Sequence, residues 1–263
     1  MSQRMITLLT DFGRTDTYVG QMHAVIAAIA PAVRVIDLTH DIAPQNIVHG
    51  GLMLEDAVEA CPPGTIHVAV VDPGVGSQRK AIAAEVGPWI FVGPDNGLFT
   101  AVLARWPLGA AVELTERRFH RETRSNTFHG RDVFAPTAAH LANGASLVSL
   151  GSALLTPLIQ TPIPQPFSEP HRTTGEVLWV DHFGNLVTNL RREHLHRSGG
   201  RISLPTASDL PLVACYADGP EESLFALFGS SGRLEIAVRN GSAAARVKAG
   251  AGTIVEWQPA DAG

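Results

Sequence analysis

Ile66–Arg79 reads IHVAVVDPGVGSQR, and its two halves decide the fold. The first half is a short apolar run without polar alternation, as expected of a strand covered on both faces. The second half cannot continue a strand. Pro73 fixes one dihedral, while Gly74 and Gly76 permit backbone shapes that other residues resist, so the loop can bring backbone close to a ligand. It is not a P-loop, because the Lys-Ser/Thr ending is missing, and it is not GxGxxG. Working outward, Ile6–Thr10 (ITLLT), Val33–Leu38 (VRVIDL) and Trp89–Val92 (WIFV) have the same apolar character. Helical stretches lie between them, near Tyr18–Ala30, His49–Cys61, Gly97–Trp106 and Arg131–Asn143, with Pro31, Pro62 and Gly144 as stops. This alternation predicts an α/β domain with a mostly parallel sheet flanked by helices. The opening MSQRMITLLTDFGR is too short for a secretory signal and reads as the first strand.

The character changes after about residue 155. Thr156–Pro170 carries five prolines in fifteen residues and can be neither helix nor central strand. Beyond it, GEVLWVD, NLVTNL, RISLP, LVACYAD, SLFALFG, LEIAVRN and TIVEWQP recur about every ten residues with turn signals between them, which predicts a small all-β barrel or sandwich. The expected organisation is therefore an α/β N-terminal domain over 1–157, a Pro-rich linker over 158–172 and a smaller β-barrel domain over 173–263. The alanine-rich Ala243–Ala251 is expected to be a surface turn or weak strand. His194 and His196, in REHLHRSGG, read as a solvated turn.

Composition narrows the function classes. Apolar residues make up 45% of the 263 and charged residues 17%, so the chain is globular. Twenty Lys and Arg against 25 Asp and Glu give a net charge of −5 with no basic run, which argues against nucleic acid as a partner. The two cysteines, Cys61 and Cys215, fit no metal, redox or disulfide spacing, and a reducing cytoplasm is the expected compartment. No apolar stretch approaches the roughly 20 residues a membrane span requires.

Acidic residues recur at strand ends: Asp11, Asp37, Asp72 and Asp95. Ligands of open parallel sheets bind outside the carboxyl ends of the strands, so four acids at one edge would form an anionic cleft. Each could equally cap a helix or bend a loop, and Asp37 leans toward that role. TFHGRDVF (Thr127–Phe134) opens a helix, which puts His129 just before a helix N-terminus, where the dipole disfavours its charged form. Read alone, His129 is as well explained by a structural hydrogen bond. Asp11, His40, Asp41, Asp72 and His129 show no HExxH or paired ligand spacing, so no metal is expected. A GxSxG elbow is absent, which argues against serine hydrolysis.

Seven segments together resemble one family, the S-adenosyl-L-methionine (SAM) hydroxide adenosyltransferases, SAM hydrolases related to fluorinase and chlorinase. They are TDFGRTDTYVG (Thr10–Gly20), IDLTHDIAP (Ile36–Pro44), VVDPGVGSQR (Val70–Arg79), VGPDNGL (Val92–Leu98), TFHGRDVFAP (Thr127–Pro136), VDHFGNLVTN (Val180–Asn189) and GSSGRLEIAVRNGSAA (Gly229–Ala244). The resemblance implies a homotrimer, with substrate between the N-terminal domain of one subunit and the C-terminal domain of its neighbour. It implies hydrolysis of SAM to adenosine and L-methionine, with SAM as substrate and no cofactor. The family's catalytic Asp-Arg-His set falls on Asp72, Arg79 and His129. Asp11 matches the residue holding the ribose hydroxyls, Asp181 a contact to the methionine amine, and Asn185 a contact to adenine. Ser230, Asn240 and Gly241 match the segment around methionine and adenine, and Tyr216 lies where the family sets an aromatic against the base. Halogenating relatives lose the Asp-Arg-His set and insert residues after its loop. Here the set is whole and only a short connection, Lys80–Pro88, follows Arg79. The tryptophan that fluorinases place near the ribose aligns with Gln45. The competing expectations are a SAM-dependent halogenase and a non-catalytic SAM- or adenosine-binding protein.

Overall fold

The computed structural model describes residues 5–195 and 200–259. The chain divides into two compact units, Met1–Ile163 and Pro164–Gly263. In the N-terminal unit, β1 (Met5–Thr10), β2 (Arg34–Thr39), β3 (Ile66–Val70), β4 (Ala81–Val86), β5 (Trp89–Pro94), β6 (Leu108–Glu113) and β7 (Ser152–Ala153) form one sheet in the order β2-β1-β3-β5-β4-β6-β7. The pairings among β2, β1, β3 and β5 are parallel, as the strand–helix alternation predicts. The pairings β5–β4, β4–β6 and β6–β7 are antiparallel, so the sheet is mixed. The extra strand β4 lies within the segment expected to be a bare connection. Its AIAAEV is rich in small residues and gives little strand signal, and it returns to β5 through a tight turn in which Gly87 has φ +55°.

Helices α1 (Tyr18–Ile29), α2 (Ile47–Val58), α3 (Thr100–Arg105) and α4 (Ala135–Ala142) cover both faces of the sheet. Ile6, Leu8, Val68 and Val70 pack with Met22, Ile26, Ala138 and Leu141 of α1 and α4. Leu9, Ala69 and Val71 point the other way, toward Leu54 and Val58 of α2 and Leu98 and Val102 beside α3. A strand with apolar partners on both faces needs no polar alternation, which is why these runs read as continuous. Even the polar His67 of β3 is buried, hydrogen-bonded through Nδ1 to Thr7 Oγ1 at 2.7 Å and stacked on Phe91.

In the C-terminal unit the ladders between strands are antiparallel. It contains β8 (Phe167–Glu169), β9 (Arg172–Val180), β10 (Leu186–Arg191), β11 (Gly200–Leu204), β12 (Ala207–Leu210), β13 (Leu224–Phe228), β14 (Arg233–Val238) and β15 (Ile254–Pro259), ordered β12-β11-β15-β9-β10-β14-β13 with β8 on β9. Past β12, Pro211 O accepts from Ala226 N and Val213 N donates to Ala226 O, both at 2.9 Å, which ties one end of the sheet to β13 at the other. The result is a nearly closed barrel around Val177, Leu186, Leu190, Ile202, Ile236, Val255 and Trp257. Two local expectations change. LVACYAD is a loop with a short 3-10 turn at Tyr216–Asp218, and the strand there is β12, just upstream. The alanine-rich segment begins as a helix, α5 (Ala243–Val247), because Ser242 Oγ caps it by accepting from Ala245 N at 3.1 Å.

The proline-rich segment is extended, yet its first part is bound to the N-terminal unit. Leu158 is buried, Ile159 N donates to Asp95 Oδ1 at 2.8 Å, and Thr161 N donates to Thr100 Oγ1 at 2.9 Å. His194 ends a 3-10 turn, Arg192–His194, and its Nδ1 accepts from Arg191 N; His196 lies outside the described residues. Among the described residues no helix is long and apolar enough to cross a membrane.

Candidate active site

The loop after β3 folds back through a series of turns. Val75 N donates to Asp72 O, Ser77 N to Gly74 O, and Ser77 Oγ closes on Gly74 O at 2.6 Å. Gly76 is the position that requires glycine: its φ is +79°, and a Cβ there would lie 2.5 Å from the Asn126 carbonyl oxygen. This fold-back returns Arg79 to Asp72. Arg79 Nε donates to both carboxylate oxygens at 3.0 Å, and Nη2 donates to Oδ2 at 2.5 Å. Both side chains are less than a tenth exposed. The guanidinium also lies 5.3 Å from the centre of the buried Phe134 ring, which fixes its plane.

The same Nη2 donates to His129 Nδ1 at 2.7 Å, so the three residues form one connected set. His129 sits immediately before a single π-helical turn, Gly130–Phe134, that runs into α4. Insertions of this kind are often found at functional positions. Its imidazole is held down to about 4. Burial is the main cause, followed by the Arg124 and Arg79 guanidinium groups, against the pull of Asp72 and Asp132. The helix-terminus argument gave the right direction, but burial and two neighbouring cations account for it.

Asp11 leaves the same sheet edge. Thr10 pairs with Val70 in the β1–β3 register, so Asp11 and Asp72 emerge from adjacent parallel strands. Asp11 Oδ2 accepts from Gln45 N at 2.8 Å, and Gln45 is held at φ +65°. The other two acids do not join an anionic cleft. Asp37 Oδ1 accepts from His23 Nε2 at 2.8 Å and lies 3.2 Å from His40 Nε2, while Asp95 is buried on Ile159 N. Both serve the framework.

In the C-terminal unit, Asp181, Asn185, Tyr216, Ser230, Asn240 and Gly241 all line one cleft of about 890 Å³. The β9–β10 turn builds its floor. Asp181 Oδ1 accepts from Phe183 N and Asn185 N, and Asp181 Oδ2 accepts from Asn185 Nδ2 at 2.8 Å. Gly184, at φ +85°, brings the turn against Ser242, where a Cβ would collide. Asn185 Nδ2 also approaches Tyr216 Oη at 3.4 Å, and that hydroxyl donates to Glu235 Oε2 at 2.5 Å. Burial and then Glu235 push the Tyr216 phenol up; burial and nearby Asp181 raise Glu235, although the phenol's bond opposes this.

Three residues escaped the sequence reading. Glu235 and Phe183 line the cleft, and Arg124 Nη2 lies 3.0 Å from His129 Nε2. Glu235 interrupts the apolar LEIAV, and that was its available signal. Arg124 sits in the arginine-rich Glu116–Arg124 (ERRFHRETR), where nothing separates it from its neighbours.

The chain matches the model of the SAM hydroxide adenosyltransferase N-terminal domain over residues 6–151 and that of the C-terminal domain over 175–256. It is 42% identical to the (R)-S-adenosyl-L-methionine hydrolase of Salinispora arenicola, over 91% of this chain and 92% of that one. The crystal structure of an uncharacterized conserved protein from Thermotoga maritima superposes with a TM-score of 0.92 at 35% identity, covering 97% of this chain and 100% of the other. The fluorinase of Actinoplanes sp. is more distant, at 27% identity over 81% of this chain and 83% of its own length. With both domain models matched in order along its length, the chain belongs to the SAM hydroxide adenosyltransferase family.

Proposed function

We propose that this chain hydrolyses SAM to adenosine and L-methionine. The observation that carries the reading is the connected Asp72–Arg79–His129 set, whole in a member of this family. In the reaction the oxygen of water attacks the ribose 5′ carbon, and the bond from that carbon to sulfur breaks. Its electron pair stays on sulfur, which leaves as the neutral thioether of methionine and needs no acid. Water is a poor nucleophile until polarised, so the residues act on water. Asp72 orients it and takes its proton, and the Arg79 guanidinium stabilises the hydroxide-like oxygen. His129, flanked by two cations, stays neutral and accepts from Arg79. Alignment of oxygen, carbon and sulfur supplies much of the remaining acceleration, roughly 7–11 kcal/mol in well-oriented systems.

The recognition roles belong to the same proposal. Asp11 holds the ribose diol, Asp181 the methionine ammonium, Asn185 and Gly241 the adenine edge, Tyr216 its face, and Ser230 and Asn240 the surrounding segment. Asp181, on the floor of the C-terminal cleft, supports an ammonium-bearing ligand, and the cleft volume suits a nucleoside-sized one. We further propose a cytoplasmic homotrimer with substrate shared between neighbouring subunits. The free thiols of Cys61 and Cys215 support a reducing compartment, and the family resemblance supports the assembly. The test is chromatography of purified protein incubated with SAM, with and without chloride or fluoride. Adenosine and methionine in equal amounts, unaffected by halide, is the expected result. Accumulation of a 5′-halogenated nucleoside would make the chain a halogenase, and tight binding without product would make it a binding protein. The relatives' name specifies an (R) form of the sulfonium compound, so both forms are supplied separately.

A further inference from the structure

The imidazole of His129 is approached by a guanidinium at each nitrogen. Arg79 Nη2 stands 2.7 Å from Nδ1, and Arg124 Nη2 stands 3.0 Å from Nε2 with its Nε at 3.3 Å. A neutral imidazole has one lone pair in its plane and one N–H, and an imidazolium has no lone pair. Only one ring nitrogen can accept, so Arg79 takes the Nδ1 lone pair and Arg124 faces the Nε2 edge as a cation; protonation would remove that lone pair and set a further positive charge between two guanidinium groups. Arg124 does not arrive there by accident of an exposed loop. The fully buried Asp132 clamps both flanks of its segment: Arg121 N donates to Asp132 O, Arg121 Nη1 to Asp132 Oδ1 at 3.0 Å, and Ser125 N to Asp132 Oδ2 at 2.7 Å. Arg131 holds the far side of the same carboxylate at 2.7 Å.

We propose that Arg124 is a positioning residue for the hydrolysis: it closes the outer edge of His129, keeps the ring neutral and holds Nδ1 on Arg79. This rests on the function proposed above. The charged groups facing the ring are Arg79 and Asp72 from the β3 loop, Arg124 from the clamped segment, and Asp132 from the π-helical turn. Arg124 itself faces Arg117, Arg79 and Asp132. Removing Arg124 deletes one of the two cations that oppose protonation, so the ring titrates higher, although burial still holds it down.

The experiment is Arg124→Ala and Arg124→Lys, read in two ways. The first is NMR titration of the His129 ring, with His129→Gln used to assign the signal. The second is kcat and KM for SAM across pH 4.5–8.5. In Arg124→Ala the ring is expected to titrate at least one pH unit higher, and the acid limb of kcat is expected to move up with it. Because the ring is also no longer held in place, the same variant should lose tenfold or more in kcat even on the pH-independent plateau, with KM changed less than threefold, and added guanidine should restore part of the rate. Arg124→Lys is expected to fall between Arg124→Ala and the natural protein. An unchanged ring titration in Arg124→Ala overturns the proposal whether or not the protein turns SAM over. A shifted titration in a protein with no SAM hydrolysis at all contradicts the function proposed above while leaving the Arg124–His129 linkage in place.

Discussion

Asp72 and Arg79 share a bidentate contact with almost no exposure to water, so the two substitutions open to Asp72 should behave differently. Asp72→Asn keeps the shape and removes the charge; kcat is expected to fall about 10²–10⁴-fold with KM little changed, the range general-base assistance usually supplies. Asp72→Ala also leaves a buried guanidinium without its partner, which costs about 3–5 kcal/mol of stability; urea unfolding of the two variants separates the effects. Histidines set the pH dependence of stability. Burial holds His67 down to about 3 and His120 to about 4, with Arg124 and Arg117 adding to the latter, and His129 sits at about 4. Each is neutral when folded and takes a proton near pH 6.5 when unfolded. The unfolded state thus binds more protons between pH 6.5 and 4, so stability is whole above 6.5 and is lost as pH falls through that window. Urea midpoints at pH 7.5 and 5.0 check the sign: the lower pH is expected to give the lower midpoint, and equal midpoints would contradict it.

At the scale of elements, the loop after β3 depends on Gly76. Gly76→Ala forces a left-handed backbone on a residue that resists it and drives a methyl into the Asn126 carbonyl. Because that contact joins the Arg79 loop to the segment leading to His129, kcat is expected to drop at least tenfold while far-UV circular dichroism stays native. Full activity would show that the loop repacks freely. This loop was legible in the sequence because its proline and glycines can serve few other purposes. So were β1, β3 and β5, whose apolar runs follow from burial on both faces, and β2, the more exposed edge strand, through its alternation with the helices. β4 was not, since alanines pack as well in a connection as in a strand, and the antiparallel half of the sheet was hidden with it. Asp37 and Asp95 looked like Asp72 at strand ends, and only the partners they find, His23 and the Ile159 amide, assign them to the framework. The Asp72, Arg79 and His129 assignment came from resemblance, and the direct bonds among them are a property of the fold that no spacing encodes. Arg124 reaches His129 through a clamp built by Asp132, a tertiary arrangement with no signature along the chain.

The whole molecule is two units with separate cores: Asp72, Arg79, His129 and Asp11 lie in the N-terminal unit, and the cleft lined by Asp181, Asn185 and Tyr216 lies in the C-terminal one. If the proposed homotrimer is the working form, sedimentation should give the mass of three 27.9 kDa chains. Activity per chain should then fall when the protein is diluted below the assembly constant. A monomer with undiminished activity would remove the shared site. The central claim is that a water molecule is the nucleophile at the ribose 5′ carbon, and the most direct measurement is turnover of SAM in ¹⁸O-labelled water followed by mass spectrometry of the nucleoside. The account predicts adenosine carrying one ¹⁸O on its 5′ carbon, with unlabelled methionine formed in equal amount. Adenosine without the label, or SAM recovered intact after prolonged incubation, would contradict it.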